Sequence, residues 1–258
     1  MQLTDALLVG AGAFVAGGMN AMAGGGTFFS FPAMLAAGVP PIMANASNTV
    51  ALWPASISSA WAYRREAMRH GRWAALLAAI SMVGGLLGGL LLLAISNETF
   101  SRLIPWLLMV ATTLFAFSAQ VSKLIRWVKG HMKLPPSDKP GSAGGAIFQT
   151  AVAIYGGFFG AGMGILTLAA LSIQGFEDIQ EINALKNLTS AMNYTVAALT
   201  FIIAGAISWP HTLVALVTAA IGGYVGAALA RKLPALWLKR LVILVGAVLT
   251  VIYFIKTY

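Results

Sequence analysis

The chain has no cysteine in 258 residues, only three histidines and only seven acidic residues. Without cysteine there is no disulfide, no thiol nucleophile and no thiolate metal site. His70, His131 and His211 stand apart near the ends of apolar runs, so no histidine cluster forms and neither metal nor cofactor is expected. Charged residues make up 9% of the chain, against about 25% in soluble domains. Hydrophobic residues make up 59%, and mean hydropathy is +0.84. Apolar runs long enough for a membrane-crossing helix recur, without the strict polar–apolar alternation of a membrane barrel. The fold class is an all-α polytopic membrane protein. The net charge of +9 comes from lysines and arginines flanking apolar spans, which is the pattern that sets orientation in a membrane. No basic face with interleaved aromatics exists, so nucleic acid is not an expected partner. Met1–Asp5 carries no positive charge ahead of the first apolar run, so no signal peptide is expected.

The apolar segments read as Ala6–Met22, Phe28–Ala37, Asn48–Tyr63, Trp73–Ile95, Leu103–Leu124, Ala146–Ile173 with a glycine break inside it, Ala184–Ile207, Thr212–Ala230 and Leu236–Ile255. Three connections are basic: Arg64 to Arg72, Lys123 to Lys139, and Arg231-Lys232 with Lys239-Arg240. The second of these, with Pro135-Pro136 and Pro140-Gly141, separates two halves: 1–122 and 144–258, joined by a linker over 123–143. The halves repeat. Asn45-Ala46 matches Asn183-Ala184, and Asn48 matches Asn187 with one residue inserted. Gly84-Gly85…Gly88 matches Gly222-Gly223…Gly226, and Arg102 follows Gly84 by 18 positions, as Arg240 follows Gly222. Internal repeats are a common plan of secondary transporters, with the site at the repeat interface.

Charge parity then constrains topology. The three basic loops share the cytoplasmic side only if the glycine-broken segment Ala146–Ile173 dips in and returns. Each half becomes a glycine-broken, re-entrant-like hairpin plus three transmembrane helices, about eight membrane segments in all. An odd number of spans per half makes the repeats inverted in topology. Both termini fall outside, and of the 16 basic residues only Arg102 and Lys256 lie outside with them.

Two stretches stand out as candidate sites. Gly24-Gly25-Gly26-Thr27, with Pro32 beyond, interrupts an apolar run where each glycine costs a helix about 1 kcal/mol. A break of this kind leaves the first amides of the next half-helix unpaired and partly positive, which suits an anion. The alternative is that the glycines only permit tight helix packing. A weaker copy lies at Gly160-Ala161-Gly162-Met163-Gly164. The amides and hydroxyls of Asn45, Ser47, Asn48 and Thr49, and of Asn183 and Asn187, suit either an oxyanion or a frayed helix end. Asn45 and Asn183 also suit the role of helix N-cap. Lys186 is far from any basic loop; it either meets an anionic substrate or snorkels to the cytoplasmic edge. Trp53, beside Pro54 within a span, lines the site or anchors like the other tryptophans. Gly84–Gly89 and Gly222–Gly226 read as close-packing helix surfaces. Glu177, Asp178 and Glu181 read as solvated turn residues. No span carries a carboxylate at mid-depth, where proton-coupled carriers place titratable groups.

The sequence resembles the TauE/SafE family, the sulfite exporters also called toluene-sulfonate uptake permeases. The likeness rests on Gly24–Thr27, Pro32, Asn45-Ala-Ser-Asn-Thr-Val-Ala-Leu-Trp-Pro54 and Tyr63-Arg-Arg65 in the first half. In the second half it rests on Asn183-Ala-Leu-Lys-Asn187, Trp209 and Gly222-Gly223…Gly226. The second glycine motif departs from the pattern, lacking both the glycine triplet and the proline. The resemblance implies transport of sulfur-containing anions, sulfite or organosulfonates, usually by export.

These readings lead to a secondary transporter working by alternating access in the cytoplasmic (inner) membrane. An anion channel, or a carrier of another small organic anion, is the alternative; with no nucleophile–base pair or metal cluster, no enzymatic activity is expected. The expected substrate contacts are Gly25, Gly26, Thr27, Asn45, Asn48, Thr49 and Trp53 from the first half, and Gly162, Gly164, Asn183, Lys186 and Asn187 from the second. The partners are the small anion and the bilayer, with a homodimer allowed. An inside-negative potential drives a monoanion outward by about 2.3 kcal/mol per 100 mV, so export needs no proton relay. A reporter fused within Gln174–Gln180 is expected to report a cytoplasmic location; an external one contradicts the hairpin reading of the second half.

Overall fold

The structure, a computed structural model, describes residues 1–22, 25–131, 143–174, 176, 178–229 and 235–258. Gly24, Arg231-Lys232, Glu177 and most of the linker (132–142) lie outside the described residues. All described secondary structure is helical. In chain order the helices are α1 Leu3–Met22, α2 Thr27–Ala36, α3 Pro41–Ala62, α4 Arg64–Met68, α5 Gly71–Ala94, α6 Asn97–His131, α7 Ala143–Phe158, α8 Met163–Ile173, α9 Ile179–Ile203, α10 Trp209–Leu229 and α11 Ala235–Thr257. Among the described residues, four helices contain stretches long and apolar enough to cross a bilayer: Leu3–Asn20, Gly71–Ala94, Asn97–Phe117 and Lys239–Thr257. Large apolar side chains such as Leu90, Ile203, Leu244 and Val251 face outward, as they do where hydrocarbon replaces water. The protein is a multi-pass membrane protein.

Both glycine breaks reverse the chain. A Cβ on Gly12 of α1 would run into Ala33 of α2, and one on Gly26 would fall on the Ala16 carbonyl. Residues 12 and 16 of α1 therefore lie beside residues 33 and 26, so α2 runs back along α1. In the second half, Gln174 Nε2 at the end of α8 reaches the Gly145 carbonyl at the start of α7, 3.4 Å away. Near the break, the Tyr155 hydroxyl donates to the Ala161 carbonyl at 2.7 Å. α2 has 10 residues and α8 has 11. At 1.5 Å per residue each is about 15 Å long, half the thickness of the hydrocarbon core.

Small residues let the two halves clasp each other reciprocally. The first hairpin lays α1 against α10: Gly10 meets Val214, Gly222 the Phe14 carbonyl and Gly226 Gly18, and a Cβ on Gly17 would fall on the Ala219 carbonyl. The second lays α7 against α5, where Gly84 meets Ala153 and Gly88 meets the Ile154 carbonyl. In both pairs residue numbers rise together, so the helices are parallel. The glycine runs 84–89 and 222–226 are helix-packing surfaces, where backbones touch because no side chain intervenes.

These registers, with a few bonds, assign each chain end to one of two opposite ends of the bundle. At one end, the Ile42 amide donates to Asn97 Oδ1 at 3.0 Å, joining the α2–α3 and α5–α6 turns. The Ser208 amide donates to Ser47 Oγ at 2.9 Å, and Tyr258 meets Arg102 and Trp106. The N-terminus is here too, because α1 is parallel to α10. At the opposite end, His70 Nε2 lies 3.1 Å from Glu181 Oε2, and the His70 ring packs edge-on against Phe176. The α8–α9 turn thus shares its end with the basic segment Arg64–Arg72.

Three expectations change. α3 begins at Pro41, seven residues before the expected Asn48, because proline is tolerated in a first helical turn where its missing N–H has no partner to lose. Asn45 is consequently inside a helix rather than capping one. Asn183 is also interior: the N-cap of α9 is Asp178, whose carboxylate accepts from the Gln180 and Glu181 amides at 2.6 and 3.3 Å. Asp178 and Glu181 are therefore not simply solvated; one caps a helix and the other pairs with His70. Replacing Gly17 by valine is expected to destabilise the fold by about 1–3 kcal/mol through overpacking. Gly223→Ala, with its nearest foreign atom 3.7 Å from the new Cβ, is expected to be tolerated. Thermal unfolding of the two variants in detergent checks this, and equal melting contradicts the packing.

Candidate functional site

The first break is built on Gly25, whose φ of +82° lies in the left-handed region that glycine enters without steric cost. α2 then starts with its orphan amides pointing back toward the turn. Asn20 on α1 takes one of them: the Gly26 N–H donates to Asn20 Oδ1 at 2.8 Å. Ser30, one turn into α2, donates to the Gly26 carbonyl at 3.3 Å and to Asn48 Oδ1 on α3. Asn48 is buried, and its amide ties α3 to the broken helix. Thr27 is buried as well and lies beside the Tyr194 hydroxyl on α9.

The second break uses two left-handed glycines, Gly160 at φ +81° and Gly162 at φ +79°, the latter capping α8. Tyr194 reaches this break too. Its hydroxyl sits 3.3 Å from where a Gly160 Cβ would lie, so one phenol touches both breaks. Lys186 is half-buried and runs its stem past the first turn of α8, with Cδ 3.7 Å from a would-be Cβ on Gly164. Asn45 crosses between the halves: its Nδ2 donates to the Phe158 carbonyl at the end of α7 at 3.0 Å, while its buried Oδ1 has no partner.

Of the expected contacts, Thr27, Gly26, Asn48 and Asn45 converge on the breaks in this way. Trp53 is used otherwise. Its indole N–H donates to Thr195 Oγ1 at 2.8 Å and fastens α3 to α9. Thr49 bonds back to the Asn45 carbonyl in its own helix. Asn183 and Asn187, one helical turn apart on α9, remain half-buried, as does Lys186, whereas Asn45 and Asn48 are closed off. An aromatic plug accounts for part of this asymmetry. Phe31 stands edge-on to Phe159 at 5.6 Å, and Phe100 to Phe158 at 5.7 Å, beside the α5–α6 turn. These rings stand between the breaks and the α5–α6 turn.

The electrostatic setting is positive. Two half-helices begin here, each with partial positive charge at its start, and Lys186 lies beside the second. The described acids Asp5, Glu66, Glu98, Asp178 and Glu181 all lie in terminal turns or short connecting helices. No group of three potential metal ligands occurs among the described residues. Tyr155 and Tyr194, which fasten the breaks, were not among the expected residues. Neither carries a local signal, since a tyrosine within a span reads like any other aromatic.

The arrangement defines a class: a helical, multi-pass membrane protein with two short helices that start at glycine breaks. It is a membrane transporter rather than an enzyme. The chain belongs to the sulfite exporter TauE/SafE family, whose model matches residues 9–253. It is similar to a "probable membrane transporter protein" of Haemophilus influenzae, 26% identical over 92% of this chain and 89% of that protein. A "probable membrane transporter protein ORF9" of Sinorhizobium sp is 25% identical over 93% and 88% of the two chains. The Escherichia coli K12 "probable membrane transporter protein YfcA" is 26% identical over 92% and 85%. No solved structure matches the chain.

Proposed function

We propose that the protein is a secondary transporter of small sulfur-containing anions, sulfite or organosulfonates, which it exports across the cytoplasmic membrane by alternating access. The observation that carries this reading is the meeting of two helix starts at one phenol, Tyr194, with Lys186 beside the second start and, among the described residues, every carboxylate in a terminal turn or short connecting helix. Such a site favours an oxyanion and disfavours a metal cation. The family description supports the sulfur chemistry.

In this reading the halves, 1–122 and 144–258 about the linker, are inverted-topology repeats of one hairpin and three spans each. Support comes from the reciprocal clasp of α1 on α10 and α7 on α5, and from helix direction. α1 and α3 start at the end of the bundle with both termini, whereas α7 and α9 start at the basic end. The basic end is cytoplasmic, following the distribution of lysine and arginine. The Phe31–Phe159 and Phe100–Phe158 plug then makes this the conformation closed to the outside. The half-buried Asn183, Lys186 and Asn187 lie toward the cytoplasmic entrance, where an anion awaiting export is first met. A plugged interior also favours a carrier over an open channel.

Lys186→Met is expected to weaken sulfite binding at least tenfold. A hydrogen bond to a charged group contributes about 1.5–3 kcal/mol, and each 1.4 kcal/mol is a factor of ten. Binding and proteoliposome flux with sulfite, sulfate, taurine, sulfoacetate and a carboxylate analogue check it. A folded Lys186→Met protein that binds and moves these anions like the native one contradicts the site, and preference for the carboxylate contradicts the substrate class.

A further inference from the structure

A second polar cluster lies away from the breaks, where α5, α7 and α9 pack together, and the anion site does not use it. Its members are Ser81, Gln149 and Asn193, all fully buried and near the middle of their helices. Asn193 orients the cluster. Its Nδ2 donates to two backbone carbonyls, Ala153 at 2.7 Å and Ser81 at 3.2 Å. Both protons of that amide are committed, so the side chain cannot flip, and Oδ1 is held as an acceptor without a donor. Ser81 Oγ has no partner either, and Gln149 has none for Oε1 or Nε2. The register brings Gln149 alongside Ser81, because α5 and α7 are parallel with Gly84 against Ala153, and each residue lies about one turn earlier on its helix.

Hydrocarbon offers no hydrogen bonds, so orphaned polar atoms at this depth need a resident partner. The fold does not demand the cluster. At the reciprocal junction of α10, α1 and α3, the corresponding places are Ala219, Val9–Gly10 and Pro54, none with a polar side chain. We propose that Ser81 Oγ, Gln149 Oε1 and Asn193 Oδ1 form a binding site for a small monovalent cation, with Na+ the fitting ion. Three neutral oxygens without donors suit a cation, and the lack of a carboxylate disfavours a divalent one. A water retained by the ion accepts from Gln149 Nε2. Carriers of this general plan hold coupling ions at mid-depth beside their broken helices. Here the site grips α7, the long arm of the second hairpin, and so deepens the transporter reading, on which its coupling role rests.

The test reads stability rather than flux, so it stands or falls apart from the identity of the anion. Full-length protein in detergent is melted in NaCl, KCl and choline chloride at equal ionic strength, with and without sulfite. Na+ is expected to raise the melting temperature saturably, by about 5 °C or more well above its dissociation constant. Ser81→Ala and Gln149→Leu should each remove that rise while melting in choline as high as the native protein. Either variant alone suffices if the other fails to fold. Equal melting of the native protein in all three salts overturns the proposal and leaves water as the occupant. A Na+ rise that persists in both variants overturns the assignment of these residues. Failure of sulfite to stabilise the protein counts against the anion reading only.

Discussion

The structure depends on one constraint: a helix that stops inside a membrane must find partners for its backbone within the protein. Each break meets it with a different set of groups. At the first, Asn20 accepts from the Gly26 amide, and Ser30 links the Gly26 carbonyl to Asn48. At the second, Tyr155 donates to the Ala161 carbonyl, and Asn45 reaches across from the other half to the Phe158 carbonyl. The asparagines that look like anion ligands therefore also hold the breaks closed. In the proposed function, a substrate oxyanion competes for groups already bonded, which would change the hairpin's attachment to α3.

That coupling matters because the hairpins are clamped elsewhere by backbone contact. Gly17, Gly222 and Gly226 fix α1 on α10, and Gly84, Gly88 and Gly157 fix α7 on α5. Interfaces packed this closely move as units rather than deforming. In the proposed cycle, the hairpins with their clamped partners rock against α3 and α9, whose own contact is fastened by Trp53 and Thr195. The His70–Glu181 pair and the Phe31–Phe159 stack sit at opposite ends of the bundle and would open in turn.

Much of this was legible in the chain. Three adjacent glycines announce a broken helix, and the charge of three loops asks the second broken segment to fold back; the Gln174–Gly145 contact spans that segment, while its re-entrant role belongs to the proposed function. The glycine pairs at 84 and 222 announced helix packing. The starts of α3 and α9 were missed because Asn45 and Asn183 look like caps in isolation; inside a packed bundle, their polarity is answered from other helices. Long-range partnerships left no local mark at all. Nothing near Tyr194 in sequence points to Thr27 or Gly160, and nothing near Asn193 points to Ser81. Periodicity reports which face of a helix is buried, but not what lies against it.

The central claim is that two inward-turned half-helices from opposite halves enclose one anion. An experimental structure determined with bound sulfite tests it most directly. The expected result is anion density between the start of α8 and the Thr27–Tyr194 contact, within hydrogen-bond reach of Lys186. Density elsewhere, or either hairpin traced as a continuous crossing of the membrane, would contradict the account.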